Sequence, residues 1–326
     1  MSILVTGGAG YIGSHCIKIL LEHGYDVVCL DNLSTGHKAA IDSRCKCYFG
    51  DIRNYSFLDN IFKNEKIEAV IHFCAMSLVG ESMIKPLEYF DNNVGGTLTL
   101  LKAMQMHKIN KIVFSSSAAV YGSQEKMPLT ETSPTLPTNP YGETKLAIEK
   151  LLKWADNAYG IKYLSLRYFN VAGALATGEL GEVHKPETHL IPLILETVLG
   201  KREKISVFGN DYNTFDGTCI RDYIHVVDLI DAHILALNHL FLGNESNIFN
   251  LGSGKGYSVM EVINTCMEVT KKKIAYEIIK RRAGDPDKLI TSNRKIKKSL
   301  GWEPKLSLKD MISSAYQFHK NHINGY

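Results

Sequence analysis

The sequence predicts an α/β protein, with a doubly wound parallel sheet covered by helices and a smaller, mixed α/β region toward the C-terminus. Short apolar runs alternate with helical patterns over the first 170 residues, an order typical of parallel sheets. The runs are nearly continuous, as expected for strands buried on both faces. A glycine-rich turn joins the first run to the first helical pattern. The length of 326 residues fits one large or two moderate domains.

The composition is that of an ordinary globular chain, 45% hydrophobic and 22% charged. A net charge of +3 is too small to indicate a nucleic-acid or anionic-membrane partner. The seven cysteines match no zinc spacing, so we expect reduced thiols and no metal site. No apolar run approaches about 18 residues, so we expect no membrane span. Met1 leads directly into the first strand, which leaves no room for a signal peptide and predicts a cytoplasmic location.

The elements follow one another at short intervals. The first strand is predicted at 3–7 and the first helix at 11–24, where Gly24 ends the helical pattern. Further strands are predicted at 26–32, 47–52, 69–75, 111–122, 162–170 and 248–254, and further helices at 54–64, 94–107, 143–156 and 221–237. Four prolines in residues 128–140 predict a surface loop. The pattern loosens after about residue 170, which predicts a domain boundary there.

The turn after the first strand places glycines at positions 7, 10 and 13. Glycine lets the backbone approach a pyrophosphate, and the helix N-terminus offers free N–H groups and a partial positive charge. Glycines alone would also suit a plain tight turn. Asp31, however, ends the second strand, where a carboxylate accepts hydrogen bonds from ribose hydroxyls and repels a 2′-phosphate. We therefore predict a Rossmann-type domain over 1–170 that binds NAD rather than NADP, with returning segments near 221–254.

Other residues lie at the same edge of the predicted sheet, because the carboxyl ends of parallel strands form the binding edge. Asp51 follows the third strand, and Phe73, Cys74 and Ala75 end the fourth. Asp51 either reaches the adenine or caps the next helix. The sequence leaves these two alternatives open.

Tyr141 and Lys145 are four residues apart, so they share one face of a helix. Lowering a tyrosine pKa from about 10 to about 7 requires about 4 kcal/mol. A cation about 6 Å away supplies about 2.8 kcal/mol at an effective dielectric constant of about 20. An oxidised nicotinamide would supply the remainder. Ser117, near the end of the fifth strand, adds a hydroxyl, although a serine there also commonly bonds to its own backbone. With the cofactor bound, Tyr141 and Lys145 therefore predict a base at neutral pH, and Ser117 a hydrogen-bond partner for a substrate oxygen.

The chain resembles the extended short-chain dehydrogenase/reductase family, and within it the UDP-hexose 4-epimerase branch. The matching stretches include VTGGAGYIGSH, GDIRN, FSSSAAVYG, NPYGETK and RRAGDP, and FGNDYNTFDGTCIRDYIHV is the most specific to the branch. The resemblance implies that retained NAD oxidises C4 of UDP-glucose or UDP-galactose, and that the 4-keto sugar turns about its diphosphate before it is reduced. It also implies that Tyr141 removes the O4 proton, that Ser117 bonds the same oxygen, and that Lys145 holds the nicotinamide ribose.

The resemblance further implies two sets of contacts. The NAD contacts are Gly7, Gly10, Tyr11, Ile12, Gly13, Asp31, Asn32, Asp51, Ile52, Phe73, Cys74, Ala75, Asn92, Ser115, Tyr141, Lys145 and Tyr168. The substrate contacts are Ser117, Tyr141, Asn170, His189, Leu190, Phe208, Arg221, Arg282 and Asp285, most of them in the smaller domain, 171–326. The two arginines suit a diphosphate, Asp285 suits ribose hydroxyls, and Phe208 suits a uracil pocket. His189 contacts UDP or forms part of the pocket wall, and Ser77 replaces a cofactor-binding lysine of other members.

Alternative functions exist on the same scaffold. A nucleotide-sugar 4,6-dehydratase needs carboxyl groups after the fifth strand, where this chain has Ala118 and Ala119. A UDP-N-acetylhexosamine 4-epimerase stays open, because Leu289 is intermediate in size at the position that selects the sugar. An alcohol dehydrogenase that exchanges free NADH and a non-catalytic NAD-binding module are further alternatives.

The resemblance implies a homodimer through the helices near 94–107 and 143–156. Leu98, Leu101 and Met104, on the first of these helices, face either the partner or the core.

Overall fold

The computed structural model describes residues 1–282 and 285–326. Ala283 and Gly284, inside the RRAGDP stretch, lie outside the described residues. The strands are β1 Ser2–Thr6, β2 Asp26–Asp31, β3 Lys46–Phe49, β4 Ile67–His72, β5 Lys111–Ser117, β6 Lys162–Tyr168, β7 Asn170–Ala172, β8 Ile205–Phe208, β9 Ile220–His225, β10 Asn247–Leu251, β11 Gly256–Ser258, β12 Tyr276–Ile279 and β13 Lys288–Leu289.

The α-helices are α1 Tyr11–Glu22, α2 Tyr55–Asn64, α3 Val79–Ser82, α4 Pro86–Tyr89, α5 Gly96–Met106, α6 Pro140–Tyr159, α7 Leu190–Val198, α8 Val226–Phe241, α9 Val259–Thr270, α10 Arg294–Leu300 and α11 Leu308–Asn321. Short 3₁₀ turns cover Lys38–Ala40 and Ala118–Tyr121, and a π-helical turn covers Phe90–Gly95. Within the described part of the chain, no helix combines the length and the apolar character that a membrane crossing requires.

A seven-stranded sheet in the order β10-β6-β5-β4-β1-β2-β3 forms the centre of the first half of the chain. The ladders from β6 through to β3 are parallel. The chain moves outward from β1 in both directions, to β2 and β3 on one side and to β4, β5 and β6 on the other. The topological switch point therefore lies between β1 and β4, where open α/β sheets bind their ligands. The predicted doubly wound fold is confirmed.

Two compact units make up the chain. Unit 1 consists of residues 1–122, 131–168 and 230–249, and unit 2 consists of the remaining described residues. In unit 1 the core includes Leu4, Val70 and Phe114 from the sheet, with Ile148 and Leu152 from α6 packed against them. Burying such side chains contributes about 1.5–3 kcal/mol each.

Unit 2 is built on shorter strands. β9 pairs with β7, β11 and β13, and β8 pairs with β12. The apolar faces of α7, α9 and α11 form its core, which includes Ile194, Ile263 and Ile312.

Several predicted elements have other bounds in the structure, and four of these differences are the most informative. The fifth strand ends at Ser117 instead of residue 122, because the Ser117 hydroxyl accepts a hydrogen bond from the N–H of Ala119 (3.1 Å) and starts the 3₁₀ turn. The third and fourth strands also end earlier, at Phe49 and His72. The predicted helix at 221–237 is wrong for its first five residues, which form β9 between β7, β11 and β13.

The proline-rich segment 128–140 is mostly irregular, but it is not entirely a surface loop. Leu129 is fully buried, its N–H donates to the carbonyl of Ile290 (2.8 Å), and it forms a β-bridge with Thr291. The single leucine at this end of the segment therefore anchors it in unit 2.

Candidate active site

The glycine turn is shaped by its own close packing. A β-carbon at Gly7 would lie 2.7 Å from the backbone nitrogen of Cys74, and one at Gly13 would lie 2.1 Å from the carbonyl oxygen of Gly7. At Gly10 the nearest neighbour of such a β-carbon is 3.4 Å away. Gly7 and Gly13 are thus required by the turn itself, whereas a β-carbon at Gly10 would make only one ordinary van der Waals contact. A pyrophosphate approaching the turn would use the room beside Gly10.

α1 begins directly after Gly10, which has no side chain with which to cap the helix. The first turn, over Tyr11, Ile12 and Gly13, contains no acidic residue. The positive end of the helix dipole is therefore not neutralised by a side chain of its own first turn, which is the arrangement that favours a bound phosphate.

Asp31 ends β2 beside the turn and is 6% exposed. One carboxylate oxygen accepts the N–H of Ala9 (2.9 Å), and the other accepts the N–H of Leu33 (2.7 Å). Each oxygen keeps a second lone pair, so the carboxylate can still accept hydrogen bonds from two ribose hydroxyls. Asn32 follows it, and its side-chain oxygen accepts the N–H of Ser34 (3.0 Å). The open glycine, the uncapped helix and this carboxylate together fit NAD.

Asp51 lies two residues beyond β3 and next to the buried Ile52. Its carboxylate accepts hydrogen bonds from Nε and Nη2 of Arg53, at 2.9 and 2.6 Å. The hydrogen bonds from Arg53 lower the pKa of Asp51. The N-cap of α2 is Asn54, whose side chain accepts the N–H of Phe57 (3.1 Å). Of the two alternatives for Asp51, the helix cap is therefore wrong, and the adenine contact stays a prediction.

The segment after β4 adjoins the glycine turn. The N–H of Phe73 donates to the carbonyl of Thr6 (3.0 Å), and Cys74 is the residue against which Gly7 packs. Cys74 and Ala75 are half-buried. All three predicted cofactor residues of this segment thus lie at the switch point.

Asn92 lies in the π-helical turn and donates to the side-chain oxygen of Asn93 (2.9 Å). Asn93 is buried and bonds the backbone of Met76 as well as the hydroxyl of Thr144 on α6. The turn is therefore fixed to the helix that carries Tyr141. Ser77, where the resemblance implies the loss of a cofactor-binding lysine, is exposed.

The predicted catalytic residues come together in unit 1. Asn139 caps α6 by accepting the N–H of Gly142 (2.9 Å), which places Tyr141 in the first turn. The Ser117 hydroxyl lies close enough to the Tyr141 phenol to favour its ionised form. Lys145 lies one turn later, with its Nζ 5.7 Å from the centre of the Tyr141 ring. The Lys145 ammonium donates to the carbonyl of Ser115 (2.7 Å), so it contributes charge without bonding the phenol in this structure.

Burial shifts the pKa values of Tyr141 and Lys145 in the protein without NAD. Burial raises the pKa of Tyr141, and the hydrogen bond with Ser117 opposes that effect only in part. Burial also lowers the pKa of Lys145 to about 8, against the attraction of Cys74 and Glu149. The lowering of the Tyr141 pKa that we predict for the NAD-bound protein stays a prediction, because in the protein without NAD burial outweighs the effect of Ser117. A further positive charge beside the phenol is needed to make it a base.

Ser115 and Tyr168, both predicted cofactor residues, hydrogen-bond each other through their hydroxyl groups. They lie near the ends of the neighbouring strands β5 and β6. Burial raises the pKa of Tyr168 above its usual range, so this phenol stays neutral.

Sequence reasoning missed a buried ion pair behind Lys145. Glu149, one turn further along α6, accepts from Nε of Arg167 (2.8 Å) and from the hydroxyl of Ser116 (2.6 Å). Arg167 also donates to the phenol oxygen of Tyr121 (2.9 Å). The negative charge of Glu149 favours the protonated form of Lys145. The available signal was Glu149 at the four-residue spacing after Lys145, together with a lone arginine in an apolar strand.

Four predicted substrate residues form one group in unit 2. Arg221, on β9, donates from Nη1 to two backbone carbonyls, both at 2.9 Å, and its Nη2 lies 3.4 Å from Asp285. Nε of Arg282 donates to the other oxygen of Asp285 (2.9 Å). The Arg282 guanidinium lies over the ring of Phe208, 4.8 Å from its centre. The group therefore combines two cations, one carboxylate and one aromatic face.

The other predicted substrate residues lie on different elements. Asn170 begins β7 and is exposed, and Leu190 begins α7. His189 is the N-cap of α7, and its Nδ1 lies 2.5 Å from the carboxylate of Glu182. The charge of Glu182 raises the pKa of His189.

Comparison with known proteins identifies the family. The model of the NAD dependent epimerase/dehydratase family matches residues 3–252. The chain belongs to the NAD dependent epimerase/dehydratase family. The family resemblance and the NAD cofactor predicted from the sequence are thereby confirmed.

Members of the NAD dependent epimerase/dehydratase family match the chain over its full length. A UDP-glucose 4-epimerase of Halalkalibacterium halodurans is 56% identical over 100% of this chain and 98% of its own. A crystal structure of a UDP-glucose 4-epimerase, 54% identical, covers 100% of this chain and 99% of its own with a TM-score of 0.99. The Bifidobacterium longum UDP-glucose 4-epimerase in complex with NAD+ and UDP is 40% identical, with a TM-score of 0.95 and full coverage of both chains.

Proposed function

We propose that this chain is a UDP-glucose 4-epimerase that interconverts UDP-glucose and UDP-galactose and retains its NAD between turnovers. The observation that carries the proposal is the contact among Ser117, Tyr141 and Lys145 on a scaffold whose full-length relatives are UDP-glucose 4-epimerases. The reaction changes only the configuration at C4, so it consumes no reductant.

The cofactor is held by residues of unit 1. The N-terminus of α1 and the open side of Gly10 receive the pyrophosphate, and Asp31 accepts the ribose hydroxyls. Lys145 donates to the nicotinamide ribose. Bound NAD supplies an acceptor, and then a donor, of two electrons at C4 of the sugar.

Tyr141 is the base for the O4 proton. Its hydrogen bond with Ser117 aligns the phenol and brings a second hydroxyl to the same sugar oxygen. Lys145 does not receive the proton directly, because its ammonium has no free lone pair and donates to the carbonyl of Ser115. Its role is to stabilise the phenolate by charge. The same phenol returns the proton to O4 when the opposite face of C4 is reduced.

The UDP end of the substrate is held by unit 2. Among the described residues, Nη2 of Arg221 is a buried donor that has no hydrogen-bond partner, although it lies 3.4 Å from Asp285. A diphosphate oxygen would satisfy it. Arg282 adds a second positive charge, Asp285 accepts ribose hydroxyls, and the ring of Phe208 packs against the uracil. Asn170, His189 and Leu190 complete the binding surface.

The experiment supplies UDP-galactose to the purified protein without added NAD or reductant. We expect UDP-glucose as the product. Tyr141→Phe should lower kcat by about 10²–10⁴-fold and leave the NAD content unchanged. Tyr159→Phe, at the exposed end of the same helix, should keep full activity.

Three results would contradict the proposal. Full turnover in Tyr141→Phe would remove the assigned base. A UDP-4-keto-6-deoxy sugar as the product would indicate the dehydratase. Steady release of NADH would indicate an ordinary dehydrogenase.

We also propose a homodimer formed through α5 and α6. Leu98 on α5 is 39% exposed and Trp154 on α6 is 69% exposed, so each helix offers an apolar side chain to a partner. Leu101 and Met104, by contrast, are buried in the core of unit 1.

The seven free thiols suit the reducing cytoplasm, where we place the enzyme.

A further inference from the structure

The loop between β7 and α7 contains four metal-ligating side chains within eight residues. They are Glu182, His184, Glu187 and His189. One ligand atom from each of them lies within 4.8 Å of all the others. The loop therefore brings two imidazoles and two carboxylates to one point in unit 2.

The spacing of these atoms is close to that of a tetrahedral metal site. Ligands 2.0–2.2 Å from a zinc ion are about 3.4 Å from one another. Nδ1 of His184 lies 3.2 Å from Glu182 and 3.7 Å from Glu187, and Nδ1 of His189 lies 4.0 Å from Glu187. A fourth pair, His189 and Glu182, is hydrogen-bonded at 2.5 Å and would open by about 0.9 Å to admit an ion.

Burial and charge also fit a divalent cation. The Glu182 and Glu187 side chains are only 5% and 8% exposed, so their carboxylates need a compensating charge. Two carboxylates and two neutral imidazoles carry a net charge of −2, which one divalent ion cancels. His184 and His189 are 30% and 55% exposed, which leaves the ion a path from solvent.

The chemical nature of the four ligand atoms indicates which metal the site would bind. Mg²⁺ and Ca²⁺ prefer oxygen ligands alone, whereas imidazole nitrogens with carboxylates in a tetrahedral arrangement suit zinc. We propose that Glu182, His184, Glu187 and His189 bind one Zn²⁺ ion. With four protein ligands the site is closed, which is typical of structural zinc. It is a site that the cysteine spacings did not predict.

The zinc ion fixes the end of the loop to α7. Next to Glu182, the backbone N–H and carbonyl of Gly181 bond the hydroxyl of the C-terminal Tyr326, at 3.0 and 2.9 Å. His189 is the N-cap of α7, so a ligand bond to its Nδ1 sets the start of that helix and the direction of its Nε2. The ion therefore ties the loop, already bonded to the chain end, to the first turn of α7.

The test uses the whole protein, stripped of metals with EDTA and then titrated with Zn²⁺. We expect one zinc per chain by mass spectrometric metal analysis and a rise in Tm on zinc addition. His184→Ala and the nearly isosteric Glu187→Gln should each weaken zinc binding at least tenfold and abolish the rise in Tm. His23→Ala, an exposed histidine at the end of α1, should behave like the wild type.

Two results would overturn the proposal. One is a stripped wild-type protein that takes up no zinc, which would make the cluster an ion-pair network between protonated histidines and carboxylates. The other is equal zinc uptake by the wild type, His184→Ala and Glu187→Gln, which would place the ion elsewhere, for example on the free thiols. Neither readout measures turnover, so failure here is distinguishable from failure of the proposed epimerase activity.

Discussion

The Lys145 ammonium is buried, so water does not solvate its positive charge. The residue is 2% exposed, and its ammonium is stabilised by the carbonyl of Ser115 at 2.7 Å and by the ring of Phe114, whose centre is 5.0 Å away. Burial still lowers its pKa to about 8. Between about pH 8 and the ordinary lysine pKa of about 10.4, the unfolded chain binds more protons than the folded one. Stability therefore rises with pH in that window, and the full cost of burial applies below pH 8.

Lys145→Met should remove this cost. At pH 7 we expect the free energy of unfolding to rise by roughly 1–3 kcal/mol, since a shift of about two pKa units corresponds to about 3 kcal/mol and the Ser115 carbonyl loses its donor. The gain should shrink toward pH 10. Urea unfolding at several pH values measures it, with Lys153→Met on the exposed face of α6 as the control. A variant that is destabilised at pH 7 and keeps the wild-type dependence on pH would contradict this account. Turnover should be lost in Lys145→Met.

The sequence predicted which side chains form the candidate site, but not their pKa values or the ion pair behind them. Ser117, Tyr141 and Lys145 could be found because a strand end and a four-residue helical spacing bring them together. Their pKa values could not, because desolvation depends on the surrounding fold. Glu149 and Arg167 were missed for a related reason: their pairing requires α6 to pack against β6, which no local pattern specifies.

Two glycines that flank α1 differ in backbone conformation and in surroundings. Gly10 has a φ of −76°, which any residue adopts, and an added β-carbon would lie 3.4 Å from its nearest neighbour, the carbonyl oxygen of Gly7. Gly24, just after the same helix, has a φ of +79°, and a methyl group added there would have no atom within 4 Å. We therefore propose that Gly10 leaves room for the ligand, whereas Gly24 is required by its backbone conformation.

Alanine at the two positions should have opposite effects. Gly10→Ala should leave the stability of the NAD-free protein within about 0.5 kcal/mol and abolish NAD retention, because its methyl group occupies the pyrophosphate approach. Gly24→Ala should cost about 1–2 kcal/mol and retain NAD. NAD released on denaturation and urea unfolding of the stripped protein provide the two measurements. Normal NAD content in Gly10→Ala would exclude the proposed pyrophosphate position.

Local sequence patterns predicted the order of the elements in unit 1, but not all of the element boundaries. The order of strands and helices in unit 1 could be predicted because buried parallel strands read as continuous apolar runs. The run beginning at Arg221 was misread because the helical periodicity of α8 extends back into β9, and only pairing with three other strands makes those residues extended. Leu129 was misplaced because burial of one side chain in a proline-rich segment depends on a distant strand partner.

At the scale of the whole molecule, the proposed dimer rests on two exposed apolar side chains. Replacing both Leu98 and Trp154 with lysine should convert a dimer to a monomer, since charges at the centre of an interface must be desolvated. Light scattering after gel filtration measures the change. Leu242→Lys, at a position 80% exposed after α8, should leave the oligomeric state unaltered. A double variant that keeps the wild-type mass would place the interface on another surface.

The polypeptide crosses between the two compact units five times. Each unit is assembled from three separate stretches, so the polypeptide passes from one to the other after residues 122, 130, 168, 229 and 249. Neither unit is contiguous in the sequence, so neither can be excised or exchanged with a relative as a single uninterrupted segment. Grafting a different sugar specificity onto this enzyme must therefore proceed by point substitutions or by rewiring several junctions at once.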